Sequence, residues 1–410
     1  MKPIIRSLLD VDFYKFTMGQ FVWKYYPDVH VKYAFMNRTK KVKIAKAIDM
    51  YRLREELEHA RTLKLSNTDL HYLRGTNEYG SPMFEEGYLQ FLKNLMLPPF
   101  TLDTENGEIR LEFEGKWSEA IYWETIALSI VTELYFEARI AKLSRLERDR
   151  VFADGTLRLA EKAWRLKQIP GITVADFGTR RRASYDWQRY AVEVMADELP
   201  KHFVGTSNVR MAADLGLMPI GTNAHELAMV LAGIACDSDE AVRSSQTHLL
   251  DLWWKVYGWG LSVALPDTFG SDFFFSIMGQ KRAEAWKGMR QDSGNPIEFG
   301  EKLITFYKKL GIDPKEKLII FSDGLTVDSI IKCYERFKGR IKMSFGWGTN
   351  LTNDLGFEPV SIVVKPVEAN GRGLVKLSDN LAKAIGRPED VERYMRAFGY
   401  ENTLYQECIY

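Results

Sequence analysis

The spacing of apolar residues divides the chain into two rhythms. Residues 1–140 are mixed. Asp12–Lys24 carries a helical period, and Val31–Met36 (VKYAFM) alternates as a half-buried strand does. Helical stretches follow at 42–61 and 83–95, and Gly107–Gly115 (GEIRLEFEG) alternates again. A long helical run begins at Ser118, a natural N-cap, with Ile121, Trp123, Ile126 and Leu128 on its apolar face. From Thr173 the pattern changes to short apolar runs that each end in a polar or glycine turn. They are TVADFGT (173–179), FVGTS (203–207), LMPIGT (217–222), LSVALPDT (261–268), AWKGMRQDSG (285–294), KLIIFSDG (317–324) and IKMSFGWGT (341–349). Helical patterns fall at 180–199, 207–214, 223–257, 269–283, 296–310 and 325–336.

Repeated strand–turn–helix units predict parallel strands joined by helical crossovers. The expected fold class is α/β, with an irregular, incomplete (β/α) barrel of about seven parallel strands in residues 141–352. The tail, 353–410, holds two strand-like runs, VSIVVKPV (360–367) and RGLVKLSD (372–379), and is expected to pack back on an amino-terminal α+β domain of residues 1–140. In such barrels the chemistry sits at the carboxyl ends of the strands. Those ends here carry Asp176, Thr206, Thr222, Asp267, Arg290 with Asp292, Asp323, and Gly346 with Gly348. The fold therefore predicts their convergence on one face.

Composition narrows the possibilities. The mix of 46% apolar and 27% charged residues in 410 is that of a soluble globular protein. Lys+Arg number 56 against 55 Asp+Glu, so no global field draws nucleic acid or an anionic membrane, and an anionic ligand needs a local cluster. No run reaches the roughly 18 apolar residues of a membrane span, and Arg6 and Asp10 interrupt the short apolar start as no signal peptide allows. Cys236, Cys333 and Cys408 form no CxxC pair, which fits a reducing cytoplasm.

Several short segments carry candidate chemistry. In FGWGTN (346–350), glycines after a strand let backbone N–H groups approach a phosphate. GMRQDSG (288–294) sets a bidentate guanidinium, Arg290, beside a carboxylate, Asp292. DFGTRRR (176–182) pairs Phe177, a face for a flat ring, with three arginines at a helix start. In GTNAHE (221–226), Thr222 as N-cap would put His225 at the third helical position, where the dipole favours a neutral imidazole able to accept a phosphoryl group. Asp12, Tyr14, Lys15 and Arg38 near the start read by themselves as parts of an ordinary amphipathic helix and strand. HELAM is not HExxH, and neither a Walker loop nor GxGxxG occurs.

Together, DFYKFTM, DFGTRRR, FVGTS, GTNAHE, GMRQDSGNP, FSDGL and FGWGTNL resemble, in order and spacing, the nicotinate phosphoribosyltransferases, over nearly the whole chain. The resemblance implies a type II phosphoribosyltransferase fold, an α+β domain built from both termini plus the irregular barrel, and a homodimer with shared active sites. It implies transfer of phosphoribose from phosphoribosyl diphosphate to nicotinate in NAD salvage, coupled to ATP, with Mg2+ accompanying the diphosphate. His225 matches the family's transiently phosphorylated histidine. Phe177 would sandwich the pyridine ring with the partner subunit's Tyr14, while Arg290 and Thr222 would hold nicotinate. Arg180, the partner subunit's Arg38, and the backbone at Gly346, Gly348 and Thr349 would hold phosphates. Asp292 and Asp323 would serve the ribose and the magnesium-bound diphosphate.

The rival is the relative that uses nicotinamide, which carries an aspartate after the GT of the FVGTS-like turn. Ser207 stands there in this chain, and losing a carboxylate lessens repulsion of the acid substrate.

Overall fold

The computed structural model describes residues 2–78, 80–235 and 237–406. Two sheets organise it. The antiparallel one comprises β1 (His30–Asn37), β2 (Phe100–Glu105), β3 (Glu108–Lys116), β10 (Ile362–Ala369) and β11 (Arg372–Gly373), in the order β11-β10-β1-β3-β2. The parallel one comprises β4 (Val174–Asp176), β5 (Phe203–Thr206), β6 (Val263–Ala264), β7 (Gly288–Gln291), β8 (Leu318–Phe321) and β9 (Lys342–Trp347), in the order β5-β4-β9-β8-β7-β6. Helices Tyr185–Glu198, Pro296–Lys309 and Val327–Phe337 make crossovers between parallel strands, as the strand–helix rhythm predicts.

Six of the seven predicted runs enter the parallel sheet. The seventh, 217–222, contributes only one bridge, Thr206 to Pro219, on the outer edge of β5. Proline lacks a ladder donor, which limits that segment's pairing. The sheet's other edge is β6, so the barrel is incomplete among the described residues.

The carboxyl-terminal segment closes on the amino-terminal one, because β10 runs antiparallel to β1 from Asn37↔Ile362 to Val31↔Ala369. β10 is buried through its first five residues, including Lys365, which a solvent-facing edge strand would leave wet. Beyond Gly373 the predicted strand 372–379 leaves the sheet, and Leu377 N–H donates instead to the Thr268 carbonyl at 2.8 Å.

Two helix starts differ from the sequence expectation. Ser118 lies inside a short helix, Trp117–Ala120, and the long helix α2 (Trp123–Ile140) begins later, after Tyr122, which gives no side-chain cap. Trp117 fixes this start from afar, its indole N–H donating to Glu226 at 2.7 Å. The span 223–257 is two helices, α3 (His225–Ile234) and Asp239–Tyr257, the second capped by Ser238. Cys333 is buried and free, while Cys236 and Cys408 lie outside the described residues. Among those residues no helix is long and apolar enough to cross a membrane.

Close strand approach makes one glycine a sharp test. A Cβ on Gly288 in β7 would come 1.7 Å from the Leu318 carbonyl oxygen of β8. Gly288→Ala is expected to cost about 2–4 kcal/mol as the strands part. Gly75→Ala, with nothing within 4 Å, is the matched control. Urea midpoints for the two variants check this.

Candidate active site

A cavity of about 290 Å³ lies at the carboxyl ends of the parallel strands, against the wall formed by β10 and the segment after it. Its lining holds seven basic side chains (Arg38, Arg180, Arg181, Arg290, Lys365, Lys376, Lys383) against four acidic ones (Asp12, Glu124, Asp292, Asp323). In a chain nearly neutral overall, this excess marks a local site for a polyanion.

One end carries aromatic rings. After β4, Asp176 accepts the Gly178 N–H at 2.7 Å and turns the chain into a single 3-10 turn, Thr179–Arg181. That turn brings Phe177 and Arg180 to the cavity. Phe177 lies flat on β9, since a Cβ on Gly346 would meet its ring at 2.3 Å. Tyr14 enters from α1 (Tyr14–Tyr25), and its hydroxyl accepts from Arg180 at 3.0 Å. Burial pushes the Tyr14 phenol well above its ordinary range, so it stays neutral.

Ser207, at the same end, donates to Asp12 at 2.6 Å. A carboxyl group therefore lines the pocket even without an aspartate at position 207. Burial raises the pKa of Asp12, ahead of the opposing pull of Arg180, which favours its uncharged form.

The other end carries His225. It is the first residue of α3, preceded by Ala224 with no side-chain cap, so Thr222 is not the N-cap and the third helical position is not where His225 stands. The Thr222 carbonyl instead accepts the Thr17 hydroxyl at 2.6 Å, because α1 packs on this loop, and Thr222 is absent from the cavity lining. His225 Nε2 lies 3.0 Å from Asp292 and Nδ1 lies 3.0 Å from the Thr268 hydroxyl, with Asp267 at 3.8 Å behind. Burial drives the imidazole pKa down to about 4, against the upward pull of Asp267. The ring is thus neutral, as expected, though through desolvation more than the helix dipole. Burial would raise Asp292, but Arg290, His225 and Lys383 outweigh it and hold the carboxyl well below its usual range. An ionised Asp292 only accepts, so Nε2 carries the imidazole proton and Nδ1 accepts from Thr268.

Arg290, Asp323, Gly348 and Thr349 also line the cavity. The Arg290 Nε has no hydrogen-bond partner among the described residues. Gly346 does not line it, since Phe177 covers that glycine, and its part is to seat the ring rather than present an amide. Asp176 and Thr206, bonded to each other at 2.7 Å, are likewise structural.

The sequence pattern missed three lysines of the carboxyl-terminal segment. Lys383 donates to Asp323 at 2.5 Å and to the Asp292 carbonyl at 2.9 Å. Lys376 lies 4.0 Å from Asp267, and burial lowers its pKa to about 8. Lys365, from β10, pairs with Glu124 at 2.5 Å. For two of them, Lys365 and Lys376, the signal was available: in VSIVVKPV and RGLVKLSD a lysine stands among apolar neighbours, where a solvated strand face would carry more polar residues. Arg38 reaches the same wall and donates to the Lys383 carbonyl at 3.2 Å. The resemblance assigns Tyr14 and Arg38 to a partner's site. Here both line the cavity of their own chain beside Phe177, because β1 and β10 are zipped into one sheet facing the barrel mouth.

The molecule has close relatives. Residues 9–132 match the nicotinate phosphoribosyltransferase (NAPRTase) N-terminal domain, and residues 172–402 match the NAPRTase family proper. A nicotinate phosphoribosyltransferase from Vibrio cholerae is 34% identical, with a TM-score of 0.87 over 97% of this chain and 94% of that one. One from Porphyromonas gingivalis is 30% identical, with a TM-score of 0.85 over 97% of this chain and 100% of the other. With both family regions matched and the motif residues assembled around one cationic, aromatic-ended cavity, this chain belongs to the nicotinate phosphoribosyltransferase family.

Proposed function

We propose that the protein transfers the phosphoribosyl group of phosphoribosyl diphosphate to nicotinate, forming nicotinate mononucleotide and diphosphate, with ATP spent through phosphorylation of His225. One observation carries the reading: a single cavity holds an aromatic end, a neutral histidine on a carboxylate, and seven basic groups. Tyr14 and Phe177 offer faces for the pyridine ring. Arg290, with its unpartnered Nε, can take the nicotinate carboxylate, and the raised pKa of Asp12 lessens its repulsion of that group. Arg38, Arg180 and the three lysines suit the phosphates, with the Gly348–Thr349 turn beside them.

In the transfer, the bond from ribose C1 to the diphosphate oxygen lengthens while the ring nitrogen approaches C1. Negative charge gathers on the leaving diphosphate, and prealigned cations stabilise it with no reorganisation at that moment. One such contact is typically worth about 10²–10³ in rate. Asp292 and Asp323 fit magnesium in its common mode, in which one or two carboxylates and substrate phosphates share the ion. Bound there, magnesium would neutralise charge on the leaving group.

His225 suits the ATP-coupled step because it is uncharged across the neutral range. Its unprotonated Nδ1 can take the γ-phosphoryl group as the bond to the ADP oxygen breaks, with Nε2–H held on Asp292, and the added charge would then alter the balance between substrate and product binding. γ-Labelled ATP is expected to leave acid-labile phosphate on the protein but none on His225→Ala. With its folded pKa near 4, His225 stays neutral as pH falls from 8 to 6, so labelling should hold constant there. A decline following a pKa near 6.5 would mean that the imidazole is solvated.

Nicotinate rather than nicotinamide is expected as substrate in an assay of mononucleotide formation with and without ATP. Ser207→Asp would set a second carboxyl beside Asp12, 2.6 Å from the present hydroxyl, and is expected to raise the KM for nicotinate about tenfold. Unchanged kinetics with both substrates would remove Ser207 from the ring site.

Lys376 supplies a pH test. Its cation is present below about 8 and lost above, so kcat/KM for phosphoribosyl diphosphate should fall between pH 7 and 9 by about tenfold. Lys376→Arg, which stays charged, is expected to flatten the profile.

A further inference from the structure

Glu124 bonds to groups at both the ring end and the phosphate end of the cavity. It lies on α2, 1% exposed, and lines the cavity wall. Its carboxylate meets Lys15 at 2.7 Å, Lys365 at 2.5 Å, Arg180 at 3.3 Å and the Tyr14 hydroxyl at 3.3 Å. These partners come from three elements, namely α1, the turn after β4, and β10. Two of them, Arg180 and Lys365, are basic groups of the cavity. Lys15 goes on to Glu226 at 2.8 Å, the residue after His225, which also receives Trp117 and Tyr33. A buried chain of charge therefore runs from the cavity wall to the start of the histidine helix.

From this geometry we infer that Glu124 is a positioning residue that holds Arg180, Lys365 and Tyr14 in the arrangement that receives phosphoribosyl diphosphate. The inference rests on the proposed function and adds the group that organises its anion site. Long cationic side chains lose rotamer freedom on binding an anion. Fixing them beforehand on one carboxylate removes that cost from the binding step. The same carboxylate favours the charged form of Lys365. Burial lowers the pKa of Lys365, Glu124 opposes that, and the neighbouring Arg180 and Lys15 add to the lowering. Tyr14, Tyr33, Asp12 and Glu226 are the other titratable groups near Glu124, and Glu226 shares Lys15 with it.

Without the Glu124 charge, the Lys365 pKa falls further. Its cation would then be lost as pH rises, adding a pH-dependent loss of phosphoribosyl diphosphate binding to the one from Lys376. A merely structural role would not change that slope. Calorimetric titration of phosphoribosyl diphosphate with magnesium, from pH 7 to 9, reads both quantities without any pyridine present. Glu124→Gln is expected to raise Kd on the order of tenfold to a hundredfold at pH 7, the size of a lost charge-assisted contact, and to steepen the loss towards pH 9. Glu124→Gln with Lys365→Met should lose the added steepness. Glu124→Asp keeps the charge but is too short to span its partners, so a raised Kd with the parental slope is expected; it also serves if Glu124→Gln does not fold. Parental Kd and slope in folded Glu124→Gln, or parental Kd in Glu124→Asp, would overturn the role of Glu124 alone. Failure of the parent protein to bind phosphoribosyl diphosphate would instead overturn the functional reading.

Discussion

A wall that must receive several phosphates has to gather cations before the phosphates arrive, and buried cations repel one another and lose their water. Removing one ion from water costs several kcal/mol even after relaxation, and only well-placed opposite charges offset it. The structure meets this constraint pair by pair. Glu124 faces Lys15, Lys365 and Arg180; Asp323 faces Lys383; Asp267 faces Lys376. Each carboxylate leaves its cations with further hydrogen-bonding capacity, since an ammonium has three donors and a guanidinium five. What remains is a cavity with more basic than acidic groups inside a chain of formal charge +1.

This pairing explains why two sheets meet at the site. The parallel strands supply short, rigid ends whose turns carry Phe177, Ser207, Arg290, Asp292 and Asp323. The antiparallel sheet supplies Lys365 through β10, with Arg38 just past β1. The parallel sheet brings Arg290 together with the carboxylates, and the antiparallel sheet adds the further cations Lys365 and Arg38. Zipping β10 to β1 brings residues more than 300 positions apart into one wall, and Glu124 on α2 bonds across the junction.

Burial also separates the roles of groups that would otherwise titrate together. His225 and Asp292 are 3.0 Å apart, yet the imidazole is kept neutral and the carboxyl ionised. Desolvation dominates the first, while Arg290, His225 and Lys383 together outweigh it for the second. Both pKa values move down, so at neutral pH an uncharged ring rests its N–H on an ionised carboxylate. Lys376, with its pKa near 8, loses its charge just above neutrality.

Much of this was legible in the residue order, and the reason is local. A strand end, its turn and the next helix are neighbours in sequence, so the runs at 173–179, 285–294 and 317–324 revealed Phe177, Arg290, Asp292 and Asp323 together. Period and turn chemistry act over a few residues, and so they place elements well and their partners poorly. They could not show that Thr222 would be taken by α1 while its loop presented His225 as the first helical residue, or that Gly346 would seat Phe177 instead of meeting a ligand. Nor could they show the charge wall. Glu124, Lys15, Lys365 and Arg180 read along the chain as unrelated charges, because an ion pair is decided by distance in space, and only the packed fold sets that distance.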